Sequence, residues 1–161
     1  NIPPDKRGLF CERDIESLKQ WNERINDIFK ENLLKDIDLS GLPNDFVIDY
    51  KFDTPQKINC VRLEEDIAFG QRVDFFMVET LSNGEWKTVC DGKVIGNCYA
   101  RYFDTVKTEA IRISGKADCK PVMKFVGAFY ADEAYFVESF ENDDLDKLNQ
   151  WVVIYKNILY N

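Results

Sequence analysis

The clearest periodic pattern in the chain lies near its start, where apolar residues recur every three or four positions. They are Ile15, Leu18, Trp21, Ile25, Ile28 and Phe29. This spacing places an apolar stripe along one side of a helix, so the sequence predicts an amphipathic helix over 12–30. A lone helix of this length is marginally stable in water. We therefore expect the helix to pack against the remainder of the domain, with part of its apolar surface left exposed.

Beyond residue 44 the pattern changes to short β-rich runs separated by turn residues. The predicted strands cover 46–52, 58–63, 73–81, 86–90, 99–103, 110–114 and 122–130. Ile111 and Ile113 alternate with Arg112, which predicts one buried face, and Met123, Phe125 and Phe129 predict another. Because no helical pattern lies between these runs, they favour an antiparallel sandwich or barrel over a parallel sheet.

Two dipeptides in the β-rich region predict hairpin turns. Asn83-Gly84 lies between two predicted strands and supplies the pair of positive-φ residues that a type I′ turn requires. Asp91-Gly92 has the same chemistry and predicts a second hairpin. The apolar run 75–78 breaks the alternation. It indicates either a bulge or a strand covered on both sides, in the second case by the N-terminal helix.

The last segment, 132–161, supports two interpretations. Its apolar residues Leu145, Leu148, Val152, Tyr155 and Leu159 follow helical spacing. The run 151–155, Trp-Val-Val-Ile-Tyr, has strand propensity instead, so the state of this segment stays open. The acidic residues nearby are most simply a solvated surface or the first turn of a helix, and we assign them no function. They are Glu141, Asp143, Asp144 and Asp146.

Charge and composition narrow the list of partners and activities. Twenty-nine acidic residues against 21 basic ones give a net charge of −8. Nucleic acid and anionic membrane surfaces are therefore unfavourable partners, whereas a neutral glycan meets no such penalty. The apolar runs are too short to span a bilayer. The chain contains no histidine, which excludes Ser-His and Cys-His nucleophilic pairs and His-ligated zinc within it.

The cysteines and the first residues bear on context. The chain has five cysteines and no CxxC pair, which favours free or buried thiols, with one or two disulfides as the alternative. Residues 1–9 contain no initiator Met and no signal-peptide pattern. They predict that the chain continues a longer protein.

Several motifs along the chain resemble one known family. They are Val61 to Ile67, Gly70 to Val73, Gly84 to Trp86, Ile95-Gly96, Ile111 to Ile113 and Phe125 to Tyr130. Their order resembles a discoidin, or coagulation factor 5/8 type C, domain. More narrowly it resembles the domain that follows the catalytic barrel in bacterial α-L-fucosidases of glycoside hydrolase family 29. Residues 1–9 and the helix resemble the exit from that barrel.

The resemblance implies a mainly β fold, a galactose-binding-like jelly-roll sandwich of about eight strands preceded by one amphipathic helix. It implies a linker and helix over 1–44, the sandwich over 45–131 and an extension over 132–161. The parent enzyme would hydrolyse terminal α-L-fucosides with retention, in a barrel upstream of this chain. A periplasmic or extracellular location in a bacterium is implied as well.

This chain by itself is therefore expected to be non-catalytic, without a cofactor, with the upstream barrel and neutral glycans as partners. Two alternatives stay open. One is a free-standing discoidin-type module that binds glycan or protein. The other is a structural spacer without a ligand.

Four residues are candidates for carbohydrate contact. Tyr99, Arg101 and Tyr102 combine aromatic rings with a forked donor, which suits a pyranose face and its hydroxyls. A partly buried edge strand, with Arg101 extending to solvent, is the competing interpretation. Trp86 follows a hairpin turn and can stack on a sugar ring, although such a residue more often caps the core.

Two further polar groups lie at strand ends. Glu64, Glu65 and Asp66 are consecutive, so they cannot straddle a sugar. A solvated strand-to-loop connection is favoured for them, with calcium as a weak alternative. Gln71 and Arg72 precede a strand and are predicted to fix the loop by side-chain bonds to backbone carbonyls, with ligand contact as the alternative.

Overall fold

The structure, a computed structural model, describes residue 8 and residues 10–132, apart from the side chain of Phe69. Helix α1 and five strands follow one another along the chain. They are α1 Glu12–Ile28, β1 Asp45–Glu65, β2 Val73–Ser82, β3 Glu85–Gly92, β4 Tyr99–Ala117 and β5 Met123–Phe129. A 3-10 helix, Ile67–Phe69, follows β1. The interpretations of residues 1–7, residue 9 and residues 133–161 lie outside the described residues.

Helix α1 confirms the predicted amphipathic helix, but only its last turn is packed against the strands. Ile28 is buried in a cluster with Cys60, Phe129 and Ala131, and Phe29 packs against that cluster. The expected docking on the domain therefore holds at the end of the helix alone. No helix in the described part of the chain is long and apolar enough to cross a membrane.

The strands form one antiparallel sheet in the order β3-β2-β4-β1-β5. The predicted runs 46–52 and 58–63 both belong to β1, and the runs 99–103 and 110–114 both belong to β4. Register shifts separate the halves, between Lys51 and Gln56 and between Ile58 and Cys60. The described residues thus form five strands instead of about eight, because extra residues at these shifts bend a strand without ending it.

Both halves of the bent strands contribute to a single core. Phe46 and Ile48 come from the first half of β1, and Val61 and Leu63 come from the second half. Val126 of β5 joins them in the same cluster. Because β1 and β4 bend, the sheet folds over on itself and encloses these residues as a β-sandwich.

The two predicted hairpins have different outcomes. Asn83 and Gly84 have φ values of 53° and 80°, which confirms the type I′ hairpin between β2 and β3. The hairpin at Asp91-Gly92 is wrong, because both residues lie within β3 and pair with Met77 and Phe76. A Cβ on Gly92 would lie 2.7 Å from the Phe76 ring. The glycine is needed for this close approach and not for a turn.

Register shifts change the facing of side chains in β2 and β5. In the run 75–78, Phe76 and Val78 are buried while Phe75 is 41% exposed. The pairing of β2 with β4 shifts between Val73 and Phe75, which confirms the bulge that the broken alternation indicated. In β5, a shift between the pairs Glu64 with Phe125 and Glu65 with Met123 reverses the facing. Met123 and Val126 therefore enter the core, whereas Phe125 packs against the outer cluster.

The free edge of β5 is covered by the segment that follows α1. The Asn32 side-chain amide donates to the carbonyl of Val126 at 3.1 Å and accepts from the amide of Ala128 at 3.1 Å. The Leu33 amide donates to the carbonyl of Ala128 at 2.9 Å. These bonds replace those of a neighbouring strand, which protects an edge that would otherwise be open to pairing with another chain.

Candidate functional site

Tyr99, the first of the carbohydrate candidates, is packed against the core. Its ring lies 4.6 Å from that of Phe76, centroid to centroid, in an edge-on arrangement of 74°. Its hydroxyl donates to the carbonyl of Asp91 at 3.5 Å. Burial raises the pKa of Tyr99 above its ordinary value, so the phenol stays neutral. The ring offers a sugar much less surface than an exposed platform would.

Arg101 and Tyr102 do not extend a common surface with Tyr99. Side chains alternate along a strand, so Arg101 shares the side of Tyr99 while Tyr102 faces the opposite side. Tyr102 is paired with Cys60 across β1, which places it on the face where the outer cluster lies. Both residues are half-buried. The three candidates are therefore divided between two faces.

Trp86 occupies a third place, on the outer face of the β3-β2-β4-β1 part of the sheet. The Arg112 guanidinium lies 4.4 Å from the centre of its ring, which covers one ring face with a cation. Arg112 also donates two bonds to Asp49, of 2.7 and 2.8 Å. That pairing holds the pKa of Asp49 below its ordinary value. We name this group the Trp86-Arg112-Asp49 row.

The sequence offered a partial signal for this row. Arg112 stands between Ile111 and Ile113, so its outward direction was predictable. Its partners were not, because they come from other strands and depend on the pairing of Asp49 with Arg112.

The three consecutive carboxylates at the end of β1 have separate partners. Glu64 accepts from Arg62 Nε at 2.7 Å and lies 3.8 Å from Lys124 Nζ. Asp66 accepts from the amide of Ala68 at 3.1 Å. Glu65 is 1% exposed and faces the loops. They do not converge on one point, and the described residues contain no group of three His, Cys, Asp or Glu side chains able to hold a metal ion.

Glu65 ties two loops to the end of β1. Its Oε1 accepts the amides of Arg72 and Val73 at 2.9 and 3.1 Å, and its Oε2 accepts the amide of Gly96 at 3.0 Å. Three charge-assisted bonds satisfy a buried carboxylate that would otherwise be costly. The prediction of a solvated connection is therefore wrong for Glu65, and it is wrong for Glu64 as well, which is 6% exposed. The spacing of residues along the chain does not show that the loop amides of Arg72, Val73 and Gly96 lie beside the Glu65 carboxylate.

Arg72 and Gln71 lie in the loop that Glu65 holds. Arg72 donates through Nη1 to the carbonyl of Lys120 at 2.6 Å, which joins this loop to the one before β5. Gln71 is exposed. Arg72 therefore makes a bond of the kind predicted for the pair, and ligand contact by either residue stays a prediction.

A second cationic cluster joins the end of α1 to the sheet. The Arg62 guanidinium lies 5.2 Å from the Phe29 ring and 5.4 Å from the Phe125 ring. Its bond to Glu64 completes the cluster. This contact anchors the last turn of α1 and was not predicted from the sequence.

All five cysteines are free thiols. Cys11, Cys98 and Cys119 are exposed, and Cys60 and Cys90 are buried. Burial raises the pKa of Cys60 and of Cys90 to about 12. Both stay protonated near neutral pH and are poor nucleophiles.

A surface depression of about 770 Å³ lies on the polar side of α1. Its lining residues are Gln20, Glu23, Arg24, Asn26, Asp27 and Lys30. All belong to one helix and the turn after it. They cannot flank a sugar from two sides, as the two carboxyl groups of a retaining glycosidase do.

Comparison with known proteins connects this sandwich to one group of enzymes. No protein-family model matches the chain. α-L-Fucosidase 1 of Arabidopsis thaliana is 26% identical over 162 residues, which covers 80% of this chain and 32% of the plant protein. The chain spans about a third of the length of the curated relatives it matches.

Solved structures give the same result. A candidate α-L-fucosidase from Bacteroides ovatus is 33% identical with a TM-score of 0.68, covering 82% of this chain and 23% of that one. A glycoside hydrolase 29 family member from an unknown rumen bacterium is 28% identical with a TM-score of 0.67, covering 81% of this chain and 25% of that one. The chain is related to the family 29 α-L-fucosidases. The relationship extends over most of the chain but over a minor part of each relative.

Proposed function

We propose that this chain is a non-catalytic accessory domain of an α-L-fucosidase-type glycoside hydrolase. The main support is that this β-sandwich, which is related to α-L-fucosidases, spans only about a third of the length of the curated relatives. The remaining length has room for a catalytic domain. The carboxylates at the end of β1 are engaged separately, which fits a domain that does not cleave glycosides.

We propose further that the sandwich is a discoidin-type, galactose-binding-like jelly roll. Support comes from β1 and β4, which each run through both halves of the sandwich with register shifts at the bends. The whole protein would join this domain to an upstream catalytic barrel, in a periplasmic or extracellular location.

The packing contacts of the aromatic candidates bear on whether the domain binds glycan weakly. Tyr99 is packed on Phe76, and Trp86 is covered on one face by Arg112. These contacts favour a packing role for both rings, and so favour a structural spacer over a glycan-binding domain. A glycan array on the chain separates the binder from the spacer. Binding that is lost in Trp86→Ala or Tyr99→Ala would restore the carbohydrate-binding assignment.

The test of the main proposal is hydrolysis of p-nitrophenyl-α-L-fucoside. We expect the 161-residue chain to release no p-nitrophenol above a buffer control, and the protein with its upstream sequence to release it. Turnover by the chain that disappears when one of its own carboxylates is changed to an amide would overturn the accessory role.

A further inference from the structure

The first half of β1 is a sheet edge that the described residues leave without a second neighbour. Residues 45–51 pair with β4 at seven consecutive positions, with no register shift among them. Strand β5 pairs with residues 60–65 only. No described residue forms a backbone hydrogen bond on the other side of 45–51. A straight edge of this kind can accept a further strand.

The pairing with β4 determines which backbone groups point outward from this edge. The amide of Ala117 donates to the carbonyl of Asn44 at 2.9 Å, and these two residues continue the register of β1 with β4 by one position. Bonded and non-bonded pairs alternate along an antiparallel ladder, so the even residues of 45–51 bond to β4. The outward amides and carbonyls belong to Asp45, Val47, Asp49 and Lys51. All four residues are exposed.

The outward residues are complementary to a second copy of themselves. When two such edges pair antiparallel about a two-fold axis at Ile48, Asp45 of each copy lies opposite Lys51 of the other. Opposite charges in directly facing positions stabilise a strand pair. Val47 faces Asp49 and becomes a diagonal neighbour of Val47 in the other copy. This contact covers part of a side chain that is 58% exposed in the single chain.

The charges also select one register. A shift of two residues in one direction places Asp45 opposite Asp49, and a shift in the other direction places Asp49 opposite its own copy. Like charges in facing positions are destabilising. A shift of one residue brings forward backbone groups that are already bonded to β4. The pairing centred on Ile48 is therefore the favoured one.

Two other edges of the sheet carry features that discourage such pairing. Along β5, the edge is bonded to Asn32 and Leu33. In β3, the ladder with β2 has a register shift between Val78 and Glu79, and the exposed Lys87 lies near the middle of the strand. Bulges and lysines are common means of protecting an edge. The edge at 45–51 has no register shift and contains oppositely charged ends.

We propose that residues 45–51 form an interface with a second copy of this chain, in which the two strands pair antiparallel with Asp45 opposite Lys51. The same surface meets itself, as a dimer with two-fold symmetry requires. The contact consists of one strand pair, so the interface is small and the dimer is expected to be weak.

Charge reversal tests both the interface and its register. Lys51→Asp places two acids opposite each other at both ends of the pairing, and Asp45→Lys places two lysines there. Each variant alone should have a dissociation constant at least about tenfold higher than the native chain, measured by sedimentation equilibrium. An equal mixture of the two should dimerise again, because Asp then faces Lys at both ends. Circular dichroism checks that both variants fold.

Two control variants separate this edge from other surfaces. Lys87→Asp makes the same charge change on β3, and Trp21→Ser removes an exposed ring of α1. Neither should alter the dissociation constant. Association that is lost in Trp21→Ser and kept in Lys51→Asp would assign it to α1 and overturn the proposal. A chain that stays monomeric at about 1 mM, or a mixture no tighter than its separate variants, would overturn it as well.

Hydrogen exchange tests the same interface without any substitution. The outward amides of Val47 and Asp49 should exchange more slowly as the concentration of the native chain rises, because pairing with the second copy protects them. The amides of Phe46 and Ile48 bond to β4 and should exchange slowly at every concentration. Exchange at Val47 and Asp49 that does not depend on concentration would show that this edge is not the interface.

Discussion

Helix α1 and the sandwich core are built from similar apolar residues, yet they bury them to different extents. Ile111 and Ile113 of β4 are 1% and 0% exposed, whereas Leu18 and Trp21 of α1 are 41% and 38% exposed. Inward residues of β4 meet the other half of the same folded sheet. The helix stripe meets the described strands only at its last turn. Periodicity thus shows which face is apolar, but the topology decides whether another part of the chain reaches it.

The contacts of α1 are local, whereas those of the sandwich core involve all five strands. Phe29 packs edge-on against Phe129 at 5.0 Å, and Arg62 lies between Phe29 and Phe125. These contacts hold one end of the helix. The core, by contrast, draws on every strand. Mutations that remove core packing should therefore affect the whole sandwich, while mutations along α1 should act locally.

The largest expected effect is that of a charge placed in the core. Ile111→Asp buries an unpaired carboxylate at a cost comparable to the whole stability of a domain, so the chain should not fold. Val47→Asp is the matched control on the neighbouring strand, where the side chain is 58% exposed. We expect cooperative thermal unfolding in the control and none in Ile111→Asp, measured by circular dichroism. Cooperative melting of both variants would show that the assigned facing is incorrect.

The next effect concerns the buried carboxylate at the loop end of the sandwich. Glu65→Ala leaves three backbone amides without an acceptor, and each unsatisfied buried donor costs about 1–3 kcal/mol. We expect a loss of about 3 kcal/mol or more in the free energy of unfolding in urea. Glu109→Ala, at an exposed position, should change it little. A loss below about 1 kcal/mol in Glu65→Ala would mean that water replaces these bonds.

A smaller effect is expected at the junction of the two regions. Ile28→Ser removes an apolar side chain that is buried beside Phe129 and Ala131, and we expect it to destabilise the chain by about 2 kcal/mol. Glu16→Ser, on the exposed side of the same helix, should cost only a few tenths through helix propensity, about 0.5 kcal/mol at most. Similar losses in both variants would show that the end of α1 is not docked as described.

The smallest effect concerns the outer face of the sandwich. Arg112 lowers the pKa of Asp49 in the folded state, so the pairing stabilises the fold above the unfolded pKa of about 3.9 and is lost as pH falls through the folded value. The Asp49 side chain is 54% exposed. Solvent screening therefore limits the contribution to about 0.5 kcal/mol.

Asp49→Asn measures this contribution directly. It should lower the free energy of unfolding in urea at pH 7, and the difference from the native chain should shrink as pH falls through the lowered folded pKa of Asp49. Asp53→Asn, another exposed acid of β1, is the control and should change neither value. A difference between Asp49→Asn and the native chain that persists at low pH would assign the effect to packing on Trp86.

The local elements were predictable because each depends on neighbouring residues. The three-and-four spacing of α1 and the positive-φ pair Asn83-Gly84 are read within a few positions, and both predictions are confirmed. Asp91-Gly92 shows the limit of such reasoning. It has the same chemistry as the first turn, but the Phe76 ring across the sheet requires the glycine inside a strand.

The candidate site shows the same limit more strongly. Aromatic and polar residue types singled out Trp86 and Tyr99, but the structure places them at separate positions with their own packing partners. The contacts of Arg62 and Glu65 could not be predicted from the sequence, because their partners lie in other strands and loops. Spacing along the chain does not show which residues long-range pairing will bring together.

By itself, the sequence determined a mainly β chain with an amphipathic helix near its start, a positive-φ hairpin and a net charge of −8. These follow from periodicity, turn chemistry and composition, which act over short distances or over the whole chain. Only the tertiary structure decided that strands merge through bends, that Phe125 faces outward and that Glu65 holds the loops. Those outcomes depend on register shifts in β1, β4 and β5, and a shift of one residue moves a side chain to the other face.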